Sequence, residues 1–139
     1  MRQDPTIAAL VFAAIVAVAS SACHGDVSTP QGTAERFLDA HYVEINLPNA
    51  LPYTSGIARR KVEEEIELVK GVTIDDTTFK PIVRYTLLQE HPDEDGGTKF
   101  LYRGKILVDG SEGFERRWLV TVRREVEGYR VTNYQELSE

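Results

Sequence analysis

Phe114-Glu-Arg-Arg-Trp-Leu-Val-Thr-Val-Arg-Arg-Glu-Val-Glu-Gly-Tyr-Arg-Val-Thr-Asn-Tyr-Gln-Glu-Leu137 reads as one long β-hairpin. Val, Thr, Tyr, Trp and Phe suit a pleated, half-buried surface, and Gly128 marks the reversal. A two-residue loop at Glu127-Gly128 would pair Val126 with Tyr129, Glu125 with Arg130 and Val122 with Asn133. One face then carries Trp118, Val120, Val122, Val126, Tyr129, Val131 and Leu137. The other carries Thr121, Arg123, Glu125, Arg130, Thr132 and Glu136. The first face belongs to a core and the second to water, with opposite charges across the strands. In this register Asn133 and Gln135 share the face of Trp118, although both are polar.

Two further strands precede the hairpin. Thr98 to Val108 places Phe100, Tyr102, Ile106 and Val108 on one face, and Gly104 within it marks a bulge or bend. The acidic turn His91-Pro-Asp-Glu-Asp-Gly-Gly97 leads into it, and Asp109-Gly-Ser-Glu-Gly113 leads out. Within Thr77 to Glu90, Val83, Tyr85 and Leu87 alternate with Arg84 and Thr86, while Ile82 and Leu88 blur the pattern. Pro81 suits an edge or a strand start.

Before the strands the period changes to a helical one. Thr29 can cap, Pro30 suits a first turn, and Ala34, Phe37, Leu38, Tyr42 and Ile45 form a stripe that Pro48 ends. Asn49 to Ser55 reads as a turn or a single helical turn. A second helix from about Gly56 to Lys70 has Ala58, Val62, Ile66 and Val69 as its stripe, with Gly71 as the stop. Two amphipathic helices before four antiparallel strands make an α+β domain. Its expected core is Phe37, Leu38, Tyr42, Val62, Ile66, Tyr85, Tyr102, Ile106, Trp118, Val120, Val122 and Val131.

The N-terminus has the parts of a secretory signal over residues 1–22. Arg2 is basic, although Asp4 weakens that charge; Ile7 to Ala19 is an apolar run; Ser20, Ser21 and Ala22 are small. The run falls short of the ~20 apolar residues of a membrane span. Cys23 follows the small residues directly, an arrangement that resembles a bacterial lipoprotein, whose lipidated cysteine becomes the first mature residue. The resemblance departs at Ser20, where such proteins usually carry Leu. A secreted protein cut nearby, or an uncleaved anchor, are the rival readings. Residues 23–29 would then be the lipidated cysteine and a short tether, and 30–139 a single domain.

Several chemistries lack their residues. The chain of 139 residues has a formal net charge of −6, and no basic block favours nucleic acid. Arg116-Arg117 and Arg123-Arg124 each split across a strand. Cys23 is the only cysteine, so no internal disulfide exists. His24, His41 and His91 stand far apart without a second ligand at metal-binding spacing, and Asp93-Glu94-Asp95 lacks the spacing of a calcium loop. No nucleophile elbow or phosphate loop is present. The expectation is therefore no metal, no cofactor and no identifiable catalytic residue. His41, bordering the apolar stripe, reads as a satisfied or rim histidine.

The helix opening at Thr29-Pro-Gln-Gly-Thr-Ala-Glu-Arg-Phe-Leu-Asp-Ala40 and the stretch from Arg117 to Tyr134 resemble the nuclear transport factor 2-like group of the cystatin-like fold, in its small bacterial lipoproteins. The resemblance implies a sheet curled round its helices into a cone with an open end, and spans about Pro30 to Leu137. Only two firm helices are read here, where fuller members of that group have a third. The group includes isomerases, dehydratases, transport adaptors and members with no known reaction, so it does not decide catalysis. The expected function is a non-catalytic binding or interaction module, held extracytoplasmically at a bacterial cell or outer membrane through Cys23. The alternative is a pocket enzyme of isomerase or dehydratase type. It would need an ionisable side chain within hydrogen-bond reach of a tyrosine hydroxyl inside the cone. Tyr102, Trp118, Asn133 and Gln135 are the expected pocket for a small apolar ligand; an envelope protein is the other candidate partner.

Overall fold

The computed structural model describes residues 25–73 and 79–138. The signal segment and Cys23 lie outside the described residues. The fold is α+β. Strands β1 (Ile82–Pro92), β2 (Thr98–Leu107), β3 (Phe114–Glu125) and β4 (Gly128–Leu137) pair antiparallel in chain order as a four-stranded meander. Helices α1 (Pro30–Leu38), α2 (Leu47–Ala50) and α3 (Gly56–Leu68) precede them.

Helix α1 begins as its sequence requires. The Thr29 hydroxyl accepts from the Gly32 amide at 3.0 Å, and Pro30 follows the cap. Residues 25–29 turn back on the helix: Thr33 donates to the Val27 carbonyl at 3.2 Å, and a β-carbon on Gly25 would meet the Gly32 backbone. The helix does not run on to Ile45. A π turn at Asp39–Val43 closes with the Glu44 amide donating to the Asp39 carbonyl at 2.7 Å, and Ile45 takes a left-handed φ of 53°. Ile45 therefore leaves the expected stripe. The widened turn lets His41 and Tyr42 both face inward, each towards a different partner. Asn49 to Ser55, expected as a turn or a single helical turn, holds the end of α2, which Asn46 caps, and a 3-10 turn at Leu51–Tyr53.

The sheet holds two bulges. At the first, Leu87 pairs with Tyr102 but Gln89 with Leu101, leaving Leu88 extra. That extra residue is what blurred the alternation of β1. At the second, Val122 pairs with Val131 but Thr121 with Asn133, leaving Thr132 extra. The hairpin register differs from the expected one. The loop is Val126-Glu127, Glu125 pairs with Gly128 and Arg124 with Tyr129. Gly128, at φ 124°, takes up the reversal, and Val126 at the tip is fully exposed rather than in the core.

The core lies between α1, α3 and one face of the sheet. Phe37, Leu38, Val62, Tyr102, Trp118, Val120, Val122 and Val131 are buried, and Tyr42, Ile66, Tyr85 and Ile106 pack partly buried against them. Phe100 and Tyr134 complete the buried aromatic set. Helix α3 covers the free edge of β4. The Ser55 amide donates to the Val131 carbonyl at 2.9 Å, and Lys61 Nζ donates to the Tyr134 carbonyl at 2.7 Å. An edge strand so occupied offers less to a stray chain.

Candidate functional site

Tyr102 and Trp118 are direct partners across β2 and β3. Both point inward and are buried. The indole lies over Gly104, where a β-carbon would collide with Cη2 and Cζ3 of the ring. Gly104 therefore marks a close approach and not the expected bulge; its pairings on both sides are continuous. On its other face the indole stacks on Tyr42 of the π turn, with ring centroids 4.2 Å apart and planes at 17°. Tyr85 meets Tyr102 edge-on at 5.6 Å. Tyr102 Oη and Trp118 Nε1 are buried without a hydrogen-bond partner among the described residues, so packing alone holds this seam. Burial pushes the Tyr102 phenol up, with the Glu35 charge adding to it.

Asn133 and Gln135 do not join this seam, which corrects the expected pocket. The extra residue Thr132 shifts the register by one beyond Val131, so Tyr134 takes the inward position opposite Val120. Asn133 faces the edge of β4 and accepts from Lys61 Nζ at 3.0 Å. Gln135, opposite Leu119, is exposed on the outer face. Period-2 reasoning flips every later side chain when one residue is inserted.

The same shift creates a group that the sequence reading missed. Tyr134 Oη donates to Glu65 Oε1 at 2.5 Å, and His41 Nε2 lies 2.7 Å from Glu65 Oε2. The three residues come from β4, α3 and the π turn. The imidazole packs among Phe37, Tyr42 and Tyr134 at centroid distances of 5.3, 4.2 and 5.2 Å. Lys61 sits over the Tyr134 ring at 5.2 Å, one helical turn before Glu65. Burial acts against the Glu65 charge, but the hydrogen bonds from His41 and Tyr134, with the charges of His41 and Lys61, outweigh it. Glu65 is held below the usual glutamate range. Burial and the bond to that carboxylate push the Tyr134 phenol up. On the other side of α1, Tyr85 Oη donates to Asp39 Oδ1 at 2.7 Å, and burial, then Asp39, pushes that phenol up as well.

A carboxylate kept ionised beside a phenol and an imidazole has the groups of a general base. Here both oxygens are taken, Oε1 by Tyr134 and Oε2 by His41. A substrate would have to displace one of them. Surface cavities lie elsewhere. One of about 410 Å³ sits among Glu115, Arg116, Arg117, Glu136, Leu137 and Ser138, and one of about 320 Å³ is lined by Arg36, Asp39, Glu44, Asn49 and Tyr53 with their neighbours. Among the described residues no cluster of His, Cys, Asp and Glu could hold a metal, and no helix is long and apolar enough to cross a membrane.

No family model and no curated protein matches the sequence. Among solved structures, the chain is similar to the Agrobacterium tumefaciens VirB8 protein, with a TM-score of 0.52 and 13% identity over 78% of this chain and 90% of that one. That likeness supports a nuclear transport factor 2-like fold. A weaker likeness, to the intermembrane space region of the chloroplast protein ARC6, has a TM-score of 0.45 and 12% identity over 84% of this chain and 100% of that one. At such identities the likeness is one of fold alone. A nuclear transport factor 2-like cone admits many functions, so the site must decide.

Proposed function

We propose that the chain is a non-catalytic interaction module of the cell envelope, held on the extracytoplasmic side of a bacterial membrane by a lipidated Cys23. Residues 1–22 serve as its signal and the folded part binds an envelope protein. One observation carries the interaction half of this reading: the space between the helices and the sheet is filled. Phe37, Phe100, Tyr102 and Trp118 are all buried and Tyr42 closes over the indole, so the groups free to meet a partner are on the outside. The anchor half rests on the order of charge, apolar run, small residues and cysteine in the first 23 positions. Several acyl chains hold firmly where one holds weakly, at about 0.8 kcal/mol per buried CH₂. Cys23→Ser should release the protein from membranes. Retention of the variant through salt and carbonate washes would contradict the anchor.

The enzyme reading rests on Glu65, an ionisable side chain bonded to a tyrosine hydroxyl with His41 alongside, which meets the requirement in part: the pair lies where α3 meets β4, with 35% of the Glu65 side chain open to water, and not within the packed interior. As an isomerase or dehydratase, the wild type would exchange the α-hydrogens of small carbonyl compounds in deuterium oxide and Glu65→Gln would not. The module reading expects no exchange from either protein.

A further inference from the structure

The outward face of the sheet has no helix on it among the described residues, and its charges are unusual for a chain of net charge −6. Arg103 of β2 stands directly opposite Arg117 of β3, and Lys105 of β2 directly opposite Arg84 of β1. All four are exposed. Directly opposed side chains have β-carbons about 4.5–5.5 Å apart, where like charges repel. At the other end of this face Lys99, Arg123 and Arg130 each hold a carboxylate, as Arg59, Lys70 and Arg116 do elsewhere. Arg84, Arg103, Lys105 and Arg117 have no carboxylate among the described residues. The one acid amid them is Glu115, opposite Lys105. Beside Arg103 and Arg117 on the same face lies the cross-strand pair Leu101 and Leu119, with Leu137 opposite Arg117; all three leucines are half-buried.

We infer that this face docks an acidic segment of a partner protein, with carboxylates set on the four cations and apolar side chains on the leucines. The inference rests on the module reading above and names its partner's chemistry. Cations that repel one another when the protein is alone become complementary once an anion lies between them. The leucine patch within an arginine rim suits a protein surface, since arginine is enriched at interfaces whose centre is apolar. A membrane surface fits less well. The chain enters through residues 25–29, packed on α1 in the helix layer, and the cationic face is on the opposite side of the sheet. An anchor at Cys23 would hold this face away from the lipid.

The test uses the full chain in a non-ionic detergent and a fluorescein-labelled peptide of alternating glutamate and leucine, read by anisotropy. Binding is expected, and it should weaken as salt rises and the screening length shrinks from about 30 Å to about 8 Å. Arg103→Glu with Arg117→Glu should weaken it by about tenfold or more. Arg59→Glu with Arg60→Glu on α3 changes the net charge equally and should leave it unchanged. Arg103→Gln with Arg117→Gln removes the charges without adding new ones and should also weaken binding. Absence of peptide binding overturns the inference, as does equal loss in the α3 variant. So does capture of phosphatidylglycerol vesicles through Arg103 and Arg117 in preference to the peptide. A homodimer in light scattering that Arg103→Glu with Arg117→Glu dissociates assigns the face to a second copy and overturns it too. None of these results touches the membrane release of Cys23→Ser, so the two readings fail separately.

Discussion

Gly104 carries no side chain because the indole of Trp118 lies where one would be. In sequence it stood out as a glycine inside a strand, which signals either a bulge or a close approach. Only the partner's position distinguishes these, and nothing local to Gly104 reports it. Gly104→Ala should cost about 1–3 kcal/mol, the usual range for overpacking a core, because the ring cannot retreat from Tyr42 stacked behind it. Urea denaturation measures the loss, and the near-ultraviolet circular dichroism of the indole should change with it. Glu65 shows the opposite case, a residue off the apolar stripe of α3 that the fold nevertheless ties to His41 and Tyr134. Glu65→Gln should destabilise at the lower end of about 1–3 kcal/mol, since 35% of its side-chain surface stays open to water. Its pKa is lowered by folding, so the stability it contributes is complete above the usual glutamate range. That stability is lost as pH falls through the lowered value. The difference in stability between wild type and Glu65→Gln should therefore shrink on acidification below that range. A difference that grows there would contradict the assignment.

At the scale of elements, the strands and helices were legible from period alone, because each buries one face and each face repeats. The bulges were not. A residue inserted at Thr132 changes no local propensity, yet it moved Asn133 and Gln135 out of the expected pocket and put Tyr134 in. The π turn escaped notice for the same reason: His41 and Tyr42 fit a helical stripe whichever way the turn widens. Cross-strand pairing also exposes the cost of the cationic face. Arg117→Glu replaces a like-charge pair across β2 and β3 with an opposite one, and should stabilise the domain by about 0.2–1 kcal/mol. Thermal unfolding at low and high salt measures this, with the gain shrinking as salt rises. A variant that unfolds earlier than wild type at low salt would mean that the pair does not repel.

For the molecule as a whole, the α+β class and most of the core followed from the sequence, since one wet and one dry face per strand leave few ways to stack two layers. The state of the interior did not follow. A cone of this fold can be open or filled, and the difference lies in whether rings from separate elements meet, as Tyr42 and Trp118 do. The claim that function resides on the outside of a filled fold depends on that closure. Trp118 is the only tryptophan, so its emission reports this one place. The direct measurement is a fluorescence titration of the chain from His24 onward with fatty acids and small aromatic compounds. A filled interior gives a blue-shifted emission that none of them changes, with little quenching by acrylamide. A saturable shift or quench of Trp118, reduced by Tyr102→Phe, would contradict it and put a ligand inside the cone.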